Sequence, residues 1–140
     1  MSQPVGPPTP QLAAPRLDEE RLAWLAMALS PGLGPKRILD AVQQIGAASR
    51  IFTMPLTALE GLRFPAAAAQ FLFDGKGRRA AEEEWARVAA QGATLVSYAC
   101  ADYPERLREI YDPPPVLWVR GDVKLLSRPA IAVVGTRHPT

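Results

Sequence analysis

The chain has 140 residues, 48% hydrophobic and 21% charged, with a net charge of +2. That length holds one ordinary domain or two small ones, and that apolar share excludes a chain disordered throughout. A single cysteine, Cys100, excludes an internal disulfide framework and fits a reducing, cytoplasmic setting, and with the single histidine, His138, it cannot form a His/Cys zinc site within the chain.

Residues 1–16 hold five prolines and one charge, Arg16. They read as a flexible tail, and with no basic residue before Arg16 and no continuous apolar core they are not a secretory signal. No apolar run anywhere approaches the roughly 20 residues that cross a membrane. The next stretch, LDEERLAWLAMALS, predicts a helix capped by Asp18, with acids in the first turn and Leu22, Leu25, Ala26 and Leu29 on one apolar face. Ser30-Pro31 ends it, because a proline pushes the residue before it out of the helical region. A second helix starts at Pro35, where the missing N–H costs nothing. It buries Ile38, Leu39, Val42 and Ile45 and closes at Gly46.

Two short helices follow from Pro55 and Pro65, and a longer one runs from about Arg78 to Ala90, closed by Gly92. The texture changes at Ala93. TLVSY is strand-like, DYPERLREIYD is a short helix led by Pro104, and three prolines precede a strand from Val116 to Arg120. Ala130 to Val134 reads as a third strand. It is apolar on both faces, as a central parallel strand is, and the alternation of strands with helical segments points to an α/β sheet. The expected fold class is therefore a small helical bundle followed by the first strands of an α/β domain. Residues 1–16 form the tail, 17–92 the bundle and 93–140 the beginning of the second domain.

Charge is unevenly spread. Gly32 to Arg79 holds seven positive and three negative residues, and Arg120 to Thr140 four positive and one negative. Two basic islands in a near-neutral chain suggest contact with a polyanion, although solvated helix faces give the same pattern. Within the first island lies Pro31-Gly32-Leu33-Gly34-Pro35-Lys36-Arg37, a glycine hairpin between two helices. Its second helix presents free N–H groups, and Lys36 and Arg37 sit where a cation opposes the helix dipole unless an anion is bound there. After the last strand stands Gly135-Thr136-Arg137, a turn with a hydroxyl and a guanidinium able to grip a phosphate. It is not a dinucleotide fingerprint. Arg50, Arg63 and Arg120 are further candidates for phosphate contact. The aromatics Phe64, Phe71, Trp85 and Trp118 read first as core.

The run DYPERLREIYDPPPVLWVRGDVKLLSRPAIAVVGTRHPT resembles the DprA (Smf) family of DNA-processing proteins of bacterial transformation. The resemblance lies in the order of parts: Tyr103-Pro104, Leu107, the step from Asp112 to Pro115, the strand from Val116 to Gly121, the strand from Ala130 to Val134, then Gly135-Thr136-Arg137. Threonine stands where the family has serine, which keeps the hydroxyl. The upstream bundle with its glycine hairpin resembles the family's N-terminal domain, which is similar to sterile-alpha-motif and helix-hairpin-helix folds. A later echo at Glu60 to Pro65 lacks the second glycine, so a paired motif is not expected.

This resemblance implies a cytoplasmic, non-enzymatic protein of natural transformation and competence. It would bind single-stranded DNA in the basic pocket of an extended Rossmann-like fold, load RecA onto it in recombination, and form a homodimer in the complete protein, with no cofactor, metal or membrane. It implies DNA-phosphate contacts for Gly135, Thr136 and Arg137, beside the hairpin residues Gly32, Gly34, Lys36 and Arg37. It also implies that the remaining sheet follows Thr140, so the chain is expected to be the N-terminal part of a longer protein. Two other readings stay open: a fragment of a Rossmann-like nucleotide-binding enzyme, and a helical interaction module docking a partner on the apolar face of FPAAAAQFLF.

Overall fold

A computed structural model describes residues 18–138. The proline-rich stretch 1–16 and the final Thr140 lie outside the described residues.

The first helix, α1 (Glu19–Ala28), begins where Asp18 accepts the Glu20 N–H at 3.0 Å. Its expected single apolar face is too narrow. Leu22, Ala23, Trp24, Leu25, Ala26 and Met27 are all buried, whereas Leu29 is half-exposed. LAWLAM is apolar all round, and a helix of that composition is stable only when enclosed. Most of the other elements accordingly pack around α1. Helix α2 (Pro35–Ile45) buries Ile38 and Ala41 and rests Leu39, Val42 and Ile45 against the core. A 3₁₀ turn over Ala48–Phe52, absent from the sequence reading, seats Ala48 and Ile51 in the core. Helices α3 (Leu56–Gly61) and α4 (Ala66–Phe73) start after Pro55 and Pro65, as expected.

The face offered as a docking surface is core: Ala68, Ala69 and Leu72 of α4 are buried, and Phe73 alone of the large apolar residues there is well exposed. Helix α5 (Lys76–Ala89) starts two residues earlier than expected. It comes very close to α4 at Gly77, where a Cβ would stand 2.8 Å from the Leu72 side chain. Only a residue without a side chain lets these helices meet so closely.

Strands β1 (Ala93–Ser97) and β2 (Val116–Arg120) pair antiparallel, Ala93 opposite Arg120 and Ser97 opposite Val116. The sequence reading assigns a parallel character only to Ala130–Val134 and leaves the direction of these two strands open. The connection carries only a single helical turn, α6 (Glu105–Arg108), too short to serve as a crossover over the sheet. Instead it folds back on itself. Cys100 N–H donates to the Ser97 carbonyl, and Tyr98 N–H donates to Pro115 at 2.9 Å, continuing the ladder by one step. Leu95 of β1 belongs to the same hydrophobic cluster as α1, and Trp118 of β2 packs against it beside Trp85 of α5.

A second 3₁₀ turn covers Val123–Ser127, opened by Asp122 accepting the Lys124 N–H. The third expected strand does not form. Ile131, Val133 and Val134 are at least 90% exposed, because among the described residues no strand lies beside Ala130–Val134 to pair its backbone. The described fold is thus mostly helical, with a two-stranded antiparallel sheet. None of its helices is long and apolar enough to cross a membrane, and no group of three acidic, His or Cys residues among those described is placed to hold a metal.

Candidate nucleic-acid interface

The turn between α1 and α2 is held from below. The Ser30 hydroxyl donates to the Ala26 carbonyl at 2.8 Å, and Leu33 is buried beneath the loop. Gly32 takes φ +69° and faces Pro65, 3.7 Å from where a Cβ would stand. A side chain there would meet both the left-handed backbone and the proline ring. Gly34 precedes α2 in an extended conformation with no capping side chain, and no acid occupies the first turn. The amides of Lys36 and Arg37 therefore face outward beside the positive end of the helix dipole, roughly half a charge.

These residues line an open cleft of about 580 Å³. Gly32, Gly34, Lys36 and Arg37 form one side, joined by Asp40 one turn along α2. Arg63 comes from the turn between α3 and α4, and Tyr111 and Asp112 from the connection between β1 and β2. The Lys36 ammonium lies 5.0 Å from the centre of the Tyr111 ring. Arg63 holds φ +62°, a conformation that costs a non-glycine residue about 1–2 kcal/mol. Its neighbours Leu62 and Phe64 are buried and fix the chain there, so the exposed Arg63 side chain is displayed at the cleft by a strained backbone.

Three other cations of the first basic island are engaged elsewhere, while Arg79, exposed on α5, makes no ion pair among the described residues. Arg78 pairs with Glu19 and Glu82, Lys76 with Asp74, and Arg50 donates to the Ile45 carbonyl at the end of α2. Lys36, Arg37 and Arg63 make no ion pair among the described residues, even with Asp40 and Asp112 on the same cleft.

The second candidate, Gly135-Thr136-Arg137, is exposed, and Thr136 Oγ1 accepts the His138 N–H at 3.1 Å. It is not part of the hairpin cleft. Three of the four aromatics read as core lie in it or pack against it, and Phe71 is not among them. Phe64 is buried, Phe71 is partly covered, and Trp85 and Trp118 pack on one another at 5.9 Å. Tyr111 was missed by the sequence reading. Its signal was an aromatic set directly before Asp112 and three prolines, where the chain cannot turn back into a helix.

The Tyr-Pro signature proves structural. Tyr103 is buried and donates its hydroxyl to the Pro114 carbonyl at 2.8 Å, fixing the triproline step across the loop. Burial raises its pKa, and Tyr98 nearby adds to this against an opposing effect of Arg108. Arg108 stands over both rings and donates to the Cys100 carbonyl.

Comparison with known proteins bears on the second half of the chain. The sequence pattern of a family described as DNA recombination-mediator protein A matches residues 77–140. The DNA processing protein DprA of Bacillus subtilis (strain 168) is 47% identical over 51 residues, 36% of this chain. The chain spans 17% of the length of that relative. No solved structure matches. Gly135, Thr136 and Arg137 fall inside the matched range, and the hairpin cleft residues up to Arg63 fall before it.

Proposed function

We propose, from the match of residues 77–140 to the DNA recombination-mediator family and the likeness to DprA, that this chain supplies DNA-phosphate contacts in DNA processing and recombination. Its partner is single-stranded DNA, and its contribution is non-catalytic and cytoplasmic. Loading of RecA and homodimerisation belong to the complete protein. In this reading residues 17–92 are a helical domain of the sterile-alpha-motif or helix-hairpin-helix kind. Residues 93–140 open an extended Rossmann-like DNA-binding domain. Lys36 and Arg37, with the hairpin amides around Gly32 and Gly34, hold phosphates at one point, and Gly135, Thr136 and Arg137 hold them at another. Each neutralised phosphate releases condensed counterions, which makes the affinity salt-dependent.

The observation that supports this most is the convergence of Lys36, Arg37 and Arg63, all without ion-pair partners among the described residues, on a glycine hairpin with uncapped amides. The test is fluorescence anisotropy of a labelled single-stranded oligonucleotide titrated with the 140-residue chain at several salt concentrations. The expected result is binding whose log affinity falls linearly with log salt, by about 0.7 for each phosphate contacted. Lys36→Ala with Arg37→Ala is expected to flatten that slope by roughly 1.4. A slope unchanged by the double substitution removes the hairpin from the reading. No binding at about 50 mM salt removes DNA contact from this chain.

A further inference from the structure

We propose that the hairpin cleft takes one unpaired nucleotide of a single strand, its base stacked on Tyr111 and its phosphate held by Lys36 and Arg63. The proposal rests on the DNA-contact reading above and adds what selects the strand.

Three observations carry it. First, Tyr111 is the most exposed aromatic among the described residues, at 85%, although it lies on the wall of a cleft. Large aromatic rings are costly to leave in water, and the fold covers most of its others at least in part. Second, the backbone just beyond the ring is anchored. Pro113 and Pro115, just beyond it, are buried, and Pro114 between them accepts the Tyr103 hydroxyl. An anchored backbone holds the ring at the cleft, and a tyrosine has only two side-chain torsions to lose when a base settles on it. Third, the charge of the cleft is modest. Lys36, Arg37 and Arg63 face Asp40 and Asp112, a small positive excess. Such an excess attracts a phosphate but grips a long polyanion weakly, so affinity has to come from a second contact. The contact on offer is an aromatic face.

Lys36 couples the two contacts. Its ammonium lies near the Tyr111 ring, an exposed cation–π arrangement that is weak. A phosphate entering beside the α2 amides competes for that ammonium and leaves the ring to the attached base. Duplex DNA cannot use this arrangement, because its bases are already stacked and paired and must be unstacked before they reach Tyr111. The cleft therefore selects single strands by stacking rather than by charge.

The experiment uses the 140-residue chain with a labelled oligothymidylate and a duplex of equal length, at low salt. Tyr111→Ala is expected to weaken oligothymidylate binding by roughly 5- to 100-fold, the usual effect of removing one stacked base contact. Duplex binding and the salt slope stay as they were. Tyr111→Phe keeps the ring and is expected to restore single-strand binding. Because Tyr111 is so exposed, thermal melting of both variants is expected to match the unaltered chain.

The stacking proposal is overturned if Tyr111→Ala binds oligothymidylate as tightly as the unaltered chain, or loses duplex and single strand equally. In those cases the phosphate reading survives on its own if Lys36→Ala with Arg37→Ala still flattens the salt slope. If the unaltered chain binds neither nucleic acid, both readings fall together.

Discussion

Arg78 shows how a basic residue that looks available in sequence can be used up internally. Its guanidinium donates to Glu19 Oε1 at 2.9 Å and Oε2 at 2.5 Å, and lies 4.1 Å from the centre of the Phe52 ring. One side chain thus ties α5 to the start of α1 and to the 3₁₀ turn. The Arg78 hydrogen bond holds the Glu19 carboxyl below its usual range, against some desolvation, and the Arg78 charge adds to it. A carboxylate held low in the folded state contributes stability above its unfolded pKa, and that stability is lost as pH falls through the folded value. The loss should therefore start near pH 4.3, roughly the unfolded pKa of a glutamate, and grow below it. Both partners are substantially solvated, so the pair is worth at most about 1 kcal/mol. Urea unfolding followed from neutral pH downward should show this acid-dependent loss in the unaltered chain and not in Glu19→Gln. Coincident profiles would mean that the pair adds nothing.

At the scale of elements, the helices that open on proline and the one capped by Asp18 were legible because their signals are local. The 3₁₀ turn at Ala48–Phe52 was not. Its N-terminal amides are capped from another helix, where Glu20 of α1 accepts the Ala48 N–H at 2.6 Å and the Ser49 N–H at 3.0 Å. Nothing in ASRIF itself announces a partner so far away in sequence. Glu20→Ala leaves two partly buried donors unsatisfied and is expected to lower stability by about 1–3 kcal/mol, with Glu20→Gln costing less because one acceptor remains. Thermal melting decides it, and a change within about 0.5 kcal/mol for the alanine variant would place the turn's stability elsewhere. The direction of β1 against β2 was not legible for a related reason. Alternation of strands and helical segments is common to parallel and antiparallel arrangements, and here the clasp between Tyr103 and Pro114 accompanies a chain that returns beside β1.

For the whole molecule, Leu95 shares its core with α1, so the first strand is stabilised by the helices that precede it. Ala130–Val134 has no such support. Hydrogen exchange should separate them. The amide of Val96, in a hydrogen-bonded pair of the ladder, is expected to exchange by global opening, and those of 130–138 at nearly unprotected rates, since no backbone-to-backbone hydrogen bond holds them among the described residues. Protection across 130–138 in a monomer would contradict this.

What the sequence determined by itself was local. It placed the helix starts, the glycine hairpin with Lys36 and Arg37, the two strands, and an order of motifs specific enough to point to a family that residues 77–140 indeed match. Each of these depends on residues within a turn or two of one another. Tertiary structure alone decided which cations stay unpaired, because that depends on partners such as Glu19, 59 residues from Arg78. It also decided that Arg63 and Tyr111, 48 positions apart, meet Lys36 in one cleft. Charge and aromaticity can be read along a chain, but convergence is a property of packing, and in this protein the enclosure of α1 sets the packing.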